Sequence, residues 1–184
     1  DPINEAEVLA AYLESTDSPL MKDFVATDLP TIIAADEVQT LNATRQIYII
    51  DIRSAADFAA GHITNAVNVA LADIATHIKG VNLSNYTKVA VVCYTGQTSG
   101  FATSLLRLLG YDKAFSLKWG MCSWHADFAG RWNTATASGN AYQSQFTATA
   151  TEKGAKGEMP VLSTGKTTGQ EILEARVAAV LTEG

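Results

Sequence analysis

No stretch of this chain approaches the roughly 20 consecutive apolar residues that a bilayer-spanning helix requires, so membrane insertion is not expected. Charge is scarce too: charged residues make up 17% of the 184, and the net charge is −6. An acidic surface repels phosphate backbones and anionic lipid heads, which argues against nucleic-acid and membrane-surface partners. The chain has only two cysteines, too few for a disulfide scaffold of the small secreted type. His77 and His125 have no partners at metal-ligand spacing, so no zinc site is expected, and His62 after Gly61 reads as a capping or loop-packing residue rather than a base.

What is present is apolar. Hydrophobic residues make up 47%, enough for one sizeable core in a chain too short for two comfortable domains. The chain begins at Asp1 rather than Met, as after removal of a signal peptide, and Ala, Thr, Ser and Asn are plentiful. These features give the expectation of an extracytoplasmic, periplasmic location, with a cytoplasmic one left open.

An N-terminal helix is expected after Asn4, with Val8, Leu9, Tyr12 and Leu13 on one face and Asp17-Ser18-Pro19 as its stop. Beyond a loop, Thr31-Ile32-Ile33 suits a short edge strand, and Asp36 to Leu41 a polar turn of helix. Ile47 to Asp51 and Lys88 to Val92 are short, nearly continuous apolar runs, the pattern of strands buried on both faces of a parallel sheet. Ser54 caps a short helix ending at Gly61; Ala66 to Ala70 reads as a strand and Leu71 to Ile78 as a helix. A helix from Ser99 to Leu109 carries an inner stripe of Phe101, Ala102, Leu105, Leu108 and Leu109, and Gly110 stands at its C′ position. Ala114 to Leu117 then returns as a strand. Strand, helix, strand is a βαβ unit, and an α/β fold with a central parallel sheet follows.

From Asn133 to Lys166 periodicity fades and an irregular segment is expected. A last helix starts at Thr168, with Glu171 completing a capping box and Leu173, Val177, Val180 and Leu181 on one side. It is a candidate surface for homodimerisation through the C-terminal extension. Its loose likeness to the first helix also allows that the termini pack together, or that a second module follows. The division is therefore 1–30, a helix and lead-in; 31–132, an α/β domain; and 133–184, an extension.

Cys93 falls at the carboxyl end of a buried parallel strand and directly before a helix, the edge where ligands bind in open α/β sheets. Between them runs Cys93-Tyr94-Thr95-Gly96-Gln97-Thr98-Ser99. Such a loop turns backbone N–H groups inward, and helix dipole and N–H groups together favour the reactive anionic form of a thiol. Thr95, Thr98 and Ser99 add hydroxyl donors, and Gly96 frees the backbone at mid-loop. Position alone leaves a buried structural cysteine equally open.

Three blocks narrow this. Asp51-Ile52-Arg53, Asp57-Phe58 and Gly61-His62-Ile63-Thr64-Asn65-Ala66-Val67-Asn68 make the first, the Val91–Ser99 loop the second and Leu106 to Tyr111 the third, with Leu117 to Trp124 behind them. In order and spacing they resemble the rhodanese family over about Thr31 to Trp132, with Asp57 where the family usually has Glu. The resemblance implies a three-layer α/β domain with a mostly parallel five-stranded sheet and helices on both faces. It implies sulfur transfer through a Cys93 persulfide, from a donor such as thiosulfate or polysulfide to a thiol or cyanide, with no metal or organic cofactor. The partners expected are a small sulfur-containing anion and a thiol acceptor.

The chain departs from the family pattern twice. Its loop has no Arg or Lys, and Lys118 and Arg53 are the nearest cations on sequence grounds. The family's Gly-Gly pair is replaced near Gly120-Met121-Cys122, which puts a second thiol by the pocket. Cys122 reads as a packed residue ahead of a resolving thiol. Lys118, Trp119, Met121 and Trp124 are candidate pocket walls. Asp51 and Arg53 read as structural, Asp51 bracing backbone and Arg53 pairing with Asp57 four residues on. A cysteine phosphatase needs Cys-x5-Arg, and after the five residues that follow Cys93 this loop has Ser99 instead. A docking or persulfide-carrier module is the non-catalytic alternative.

Overall fold

β-Branched residues crowd Ile47–Ile50 and Val89–Val92, and such side chains suit a pleated, buried surface. In the computed structural model, which describes residues 3–19, 30–139 and 141–184, these runs are the central strands. β1 (Ile32–Ile33), β2 (Ile47–Asp51), β3 (Val67–Asn68), β4 (Lys88–Val92) and β5 (Ala114–Leu117) form one sheet in the order β1-β5-β4-β2-β3. Every pairing is parallel, so all strands end on the same edge. Register sets Asp51 beside Val92 and Val91 beside Ser116, which brings the ends of β2, β4 and β5 together at that edge. The loop expected after Pro19 lies, for residues 20–29, outside the described residues.

Alternation along β2 and β4 builds two cores. Ile50, Val89 and Val91 face α4 (Ile74–Lys79) and α5 (Gln97–Leu108), whereas Ile47, Ile49, Ala90 and Val92 face α2 (Ala35–Ala43), Ile63 and Met121. Side chains of this size contribute about 1.5–3 kcal/mol each when fully buried. The inner stripe of α5 differs from the sequence expectation: Ala102 and Leu106 lie at its centre, and Phe101 is 36% exposed. The helix begins at Gln97, two residues earlier than expected, and ends in a Schellman pair, Tyr111 N–H to Leu106 O and Gly110 N–H to Arg107 O.

The terminal helices complete the first core. α1 (Glu5–Glu14) and α8 (Gly169–Glu183) pack on each other, with Leu9, Tyr12 and Leu13 meeting Leu173, Val177 and Leu181. The apolar side of α8 is thus covered within the chain. Thr168 accepts from Glu171 N–H as the expected N-cap, while the Glu171 carboxylate of the expected capping box accepts from the Thr168 hydroxyl, at 2.7 Å, in place of its N–H. Glu5 adds a clamp, its carboxylate accepting from the N–H groups of Thr164 and Gly165 at 2.7 and 2.8 Å. In the segment expected to be irregular, α7 (Gly130–Thr136) runs as far as Thr136 and a short 3-10 turn forms at Gln143–Gln145.

Candidate active site

β4 delivers Cys93 to the carboxyl edge of the sheet and α5 starts at Gln97, so the intervening residues must turn sharply. Gly96 makes that turn with φ +94°, a left-handed conformation that glycine alone takes without strain. The turn aims the Gly96 N–H at the Cys93 Sγ, 3.1 Å away. Ser99, in the first turn of the helix, brings its hydroxyl to 3.3 Å from the same sulfur. Cys93 is buried at 2% exposure, with one N–H donor and one hydroxyl within reach.

Behind Ser99 stands Ser116 on β5, Oγ to Oγ 2.7 Å, with Gly96 O within 3.2 Å of Ser99 Oγ. Both serines are buried. Sequence reasoning missed Ser116. Its signal was a lone hydroxyl in the otherwise apolar run Ala114-Phe115-Ser116-Leu117.

The turn after β5 props the loop from outside. Met121 N–H donates to Cys93 O at 2.9 Å and Cys122 N–H to Tyr94 O at 3.2 Å. Gly120, φ +54°, lies so close that a Cβ there would sit 2.4 Å from Cys93 O. Trp119 also takes a positive φ of 62°, an uncommon backbone for a bulky residue.

The remaining expected residues divide between the two flanks of the loop. On one, Lys118 and Trp119 join Gly96, Gln97 and Trp132 around an apolar slot of about 220 Å³, with the indole rings 5.0 Å apart. On the other, Tyr94 and Met121 line a second pocket with Asp57, Phe128 and Arg131. Trp124 packs in the core against the α2 side instead of walling either one. Thr95 donates to the Gln97 amide oxygen at 2.9 Å, and Thr98 lies on the open rim.

Arg53 does not pair with Asp57. Its guanidinium bonds Asp51 at 2.7 Å and Gly61 O at 2.7 Å, fully enclosed, because β2 ends pointing Asp51 back at it. Asp51 Oδ1 also accepts from Arg53 N–H, the backbone brace expected of it. Asp57 instead takes hydrogen bonds from the Ser54 hydroxyl, at 2.6 Å, and the Tyr94 hydroxyl. Those two donors, Ser54 first, hold its carboxyl below the usual aspartate range. With Arg53 held by Asp51 and Gly61 O and Lys118 at the apolar slot, neither lines the open cleft over Tyr94, Thr95, Gln97 and Thr98. Arg131 does, its Cζ 3.8 Å from the centre of the Tyr94 ring. No sequence spacing announced it, since only the path of residues 118–130 carries α7 back over the loop.

Cys122 Sγ points to Phe128 O at 3.3 Å, away from the groups that hold Cys93 Sγ, and both thiols are free. The histidines have local partners: His62 stacks on Phe58 and meets its carbonyl at 2.8 Å, His77 meets the Tyr48 hydroxyl at 2.8 Å, and His125 accepts from Asp127 N–H.

A family model described as Rhodanese-like domain matches residues 34–127, which span the four strands β2 to β5, the loop and its props. The chain belongs to the rhodanese-like family. It is similar to the thiosulfate sulfurtransferase GlpE of Pseudomonas putida, 34% identical over 96 residues that cover 52% of this chain and 86% of that protein. It is also similar to the adenylyltransferase and sulfurtransferase uba4 of Ogataea parapolymorpha, 26% identical over 47% of this chain and 22% of that one. Among solved structures, a rhodanese-like domain protein from Staphylococcus aureus matches with a TM-score of 0.45 and 25% identity, covering 52% of this chain and 91% of that one. The rhodanese-like region thus leaves α1, α7 and α8 outside its bounds.

Proposed function

We propose that the protein is a sulfurtransferase that carries sulfane sulfur as a persulfide on Cys93. The observation that carries this reading is the Gly96 N–H donating to the Cys93 sulfur at the carboxyl edge of the sheet, with the Ser99 hydroxyl, which accepts from the neutral thiol, 3.3 Å away and able to turn its proton to an anion. A structural cysteine needs no such N–H, whereas a thiolate and a terminal persulfide both need donors. Family membership and the names of the relatives support the same chemistry.

In the first step the Cys93 thiolate attacks the outer sulfur of a sulfane donor such as thiosulfate. A Cys93–sulfur bond forms, the donor's sulfur–sulfur bond breaks, and sulfite leaves with the electron pair. The charge then resides on the terminal persulfide sulfur, where the Gly96 N–H and the loop's hydroxyls stabilise it. In the second step a thiolate or cyanide attacks that terminal sulfur and Cys93 departs as the thiolate that began the cycle. Nothing in either step requires a general base, because the nucleophile and the leaving group are both anions.

The test is cyanolysis. With thiosulfate and cyanide the protein should form thiocyanate, and Cys93→Ser should reduce it to the uncatalysed rate. A wild-type protein that forms none from thiosulfate or polysulfide would leave the loop as a docking surface.

A further inference from the structure

The loop that holds Cys93 contains no cation, yet a cation stands over it. α7 lies beyond the rhodanese-like match at 34–127 and places Arg131 on the face of Tyr94, the residue that follows the nucleophile. Tyr94 is itself fixed, since its hydroxyl donates to Asp57 and accepts from Ser54 N–H at 3.3 Å. The stack leaves the guanidinium edge free: among the described residues Arg131 makes no ion pair and no hydrogen bond to protein. Arg53, by contrast, is spent on Asp51 and Gly61 O.

Arg131 borders an open cleft of about 600 Å³ over the loop, formed by Tyr94, Thr95, Gln97 and Thr98 on one side and by Arg131 and Thr134 on the other. Among the described residues Arg131 is the one charged residue of its lining; it also borders the neighbouring pocket with Arg53, Asp57 and Asp127, where, behind the Ser54 and Tyr94 hydroxyls, its charge helps hold the Asp57 carboxyl down. A cleft with hydroxyl and amide donors, one guanidinium and no carboxylate suits a small multivalent oxyanion.

We infer that Arg131 is the anion-binding residue of the site and receives the sulfonate end of a thiosulfate-type donor. This rests on the sulfur-transfer reading and names its donor class. The guanidinium holds the oxygens that become sulfite while the outer sulfur points at Cys93, so it acts on donor binding and on the departing charge. A neutral organic trisulfide has neither sulfonate nor charge and gains nothing from it. The recruited cation stands where the sequence of the loop itself provides none.

Two measurements separate this inference from the reading beneath it. In steady-state transfer, Arg131→Gln should lower kcat/KM for thiosulfate about tenfold or more relative to that for a neutral organic trisulfide, mainly through KM, and Arg131→Lys should recover part of it. Added salt should weaken thiosulfate use by the wild type more than by Arg131→Gln. In equilibrium binding of thiosulfate by calorimetry, Cys93→Ser should bind at least about tenfold more tightly than Cys93→Ser with Arg131→Gln. Equal or undetectable binding in those two proteins, or an unchanged donor ratio, overturns the anion site even if transfer proceeds. Arg131-dependent binding in a protein that moves no sulfur keeps the site and removes the transfer reading.

Discussion

Ser116 Oγ lies 2.7 Å from Ser99 Oγ, and Ser99 Oγ lies 3.3 Å from Cys93 Sγ, so a buried hydroxyl pair connects β5 to the reactive sulfur. When Cys93 is anionic, Ser99 is free to turn its proton to the sulfur only if its oxygen and Gly96 O are otherwise satisfied. Ser116 can donate to either. One such hydrogen bond is worth about 1 kcal/mol, so Ser116→Ala should slow loading of Cys93 roughly fivefold while the fold stays intact. Rapid-mixing single-turnover loading reads this; an unchanged rate would reduce Ser116 to a filler of the strand.

Arg53 and Asp51 form an ion pair with 2% and 0% of their side chains exposed. Removing one partner strands the other as a buried charge. Arg53→Ala should therefore destabilise the protein by about 3–5 kcal/mol, and a paired change of both residues to apolar ones should cost less than either alone. Urea unfolding of the three variants checks this. A loss under about 1 kcal/mol in Arg53→Ala would show that the pair is solvated.

Glu5 ties the extension to α1, and the backbone N–H of Thr164 is the main cause that holds its carboxyl below the usual glutamate range. A depressed carboxylate contributes stability above its unfolded pKa and loses it as pH falls through the folded one. The clamp should thus be fully present near neutrality and fade below about pH 4. Hydrogen exchange at Thr164 and Gly165 should speed up over that acid range, and Glu5→Gln should show the faster exchange already at neutral pH. Protection unaffected by Glu5→Gln would contradict the clamp.

Cys122 Sγ donates to Phe128 O, and among the described residues its side chain makes no hydrogen bond to the Cys93 loop. Cys122→Ser should therefore keep thiocyanate formation within about twofold of wild type, the hydroxyl replacing the thiol as donor to that carbonyl. A loss of tenfold or more would make it a second sulfur carrier.

The strand, loop and helix around Cys93 were legible because each rests on local signals: the β-branched run, Gly96, and the apolar spacing and C′ Gly110 of α5, though not the phase of its buried face. The caps at Ser54 and Thr168 were legible for the same reason. What was not legible is tertiary. The i, i+4 spacing of Arg53 and Asp57 suggested a pair, but β2 ends by turning Asp51 onto Arg53, while Tyr94 claims Asp57 from across the sheet edge. Phe101 read as core because the helix phase was set from Ser99, whereas the true phase buries Arg107, whose Nε reaches Ala114 O at 2.8 Å. Ser116 and Arg131 matter through neighbours distant in sequence, and no periodicity places them.

The central claim is that Cys93 carries the sulfur. Incubation with thiosulfate, followed by mass spectrometry of the peptide that contains Cys93, tests it most directly. The account predicts one added sulfur on that peptide, removed by cyanide and absent from Cys93→Ser. Sulfur that appears only on Cys122, or on neither cysteine with any sulfane donor, would contradict it.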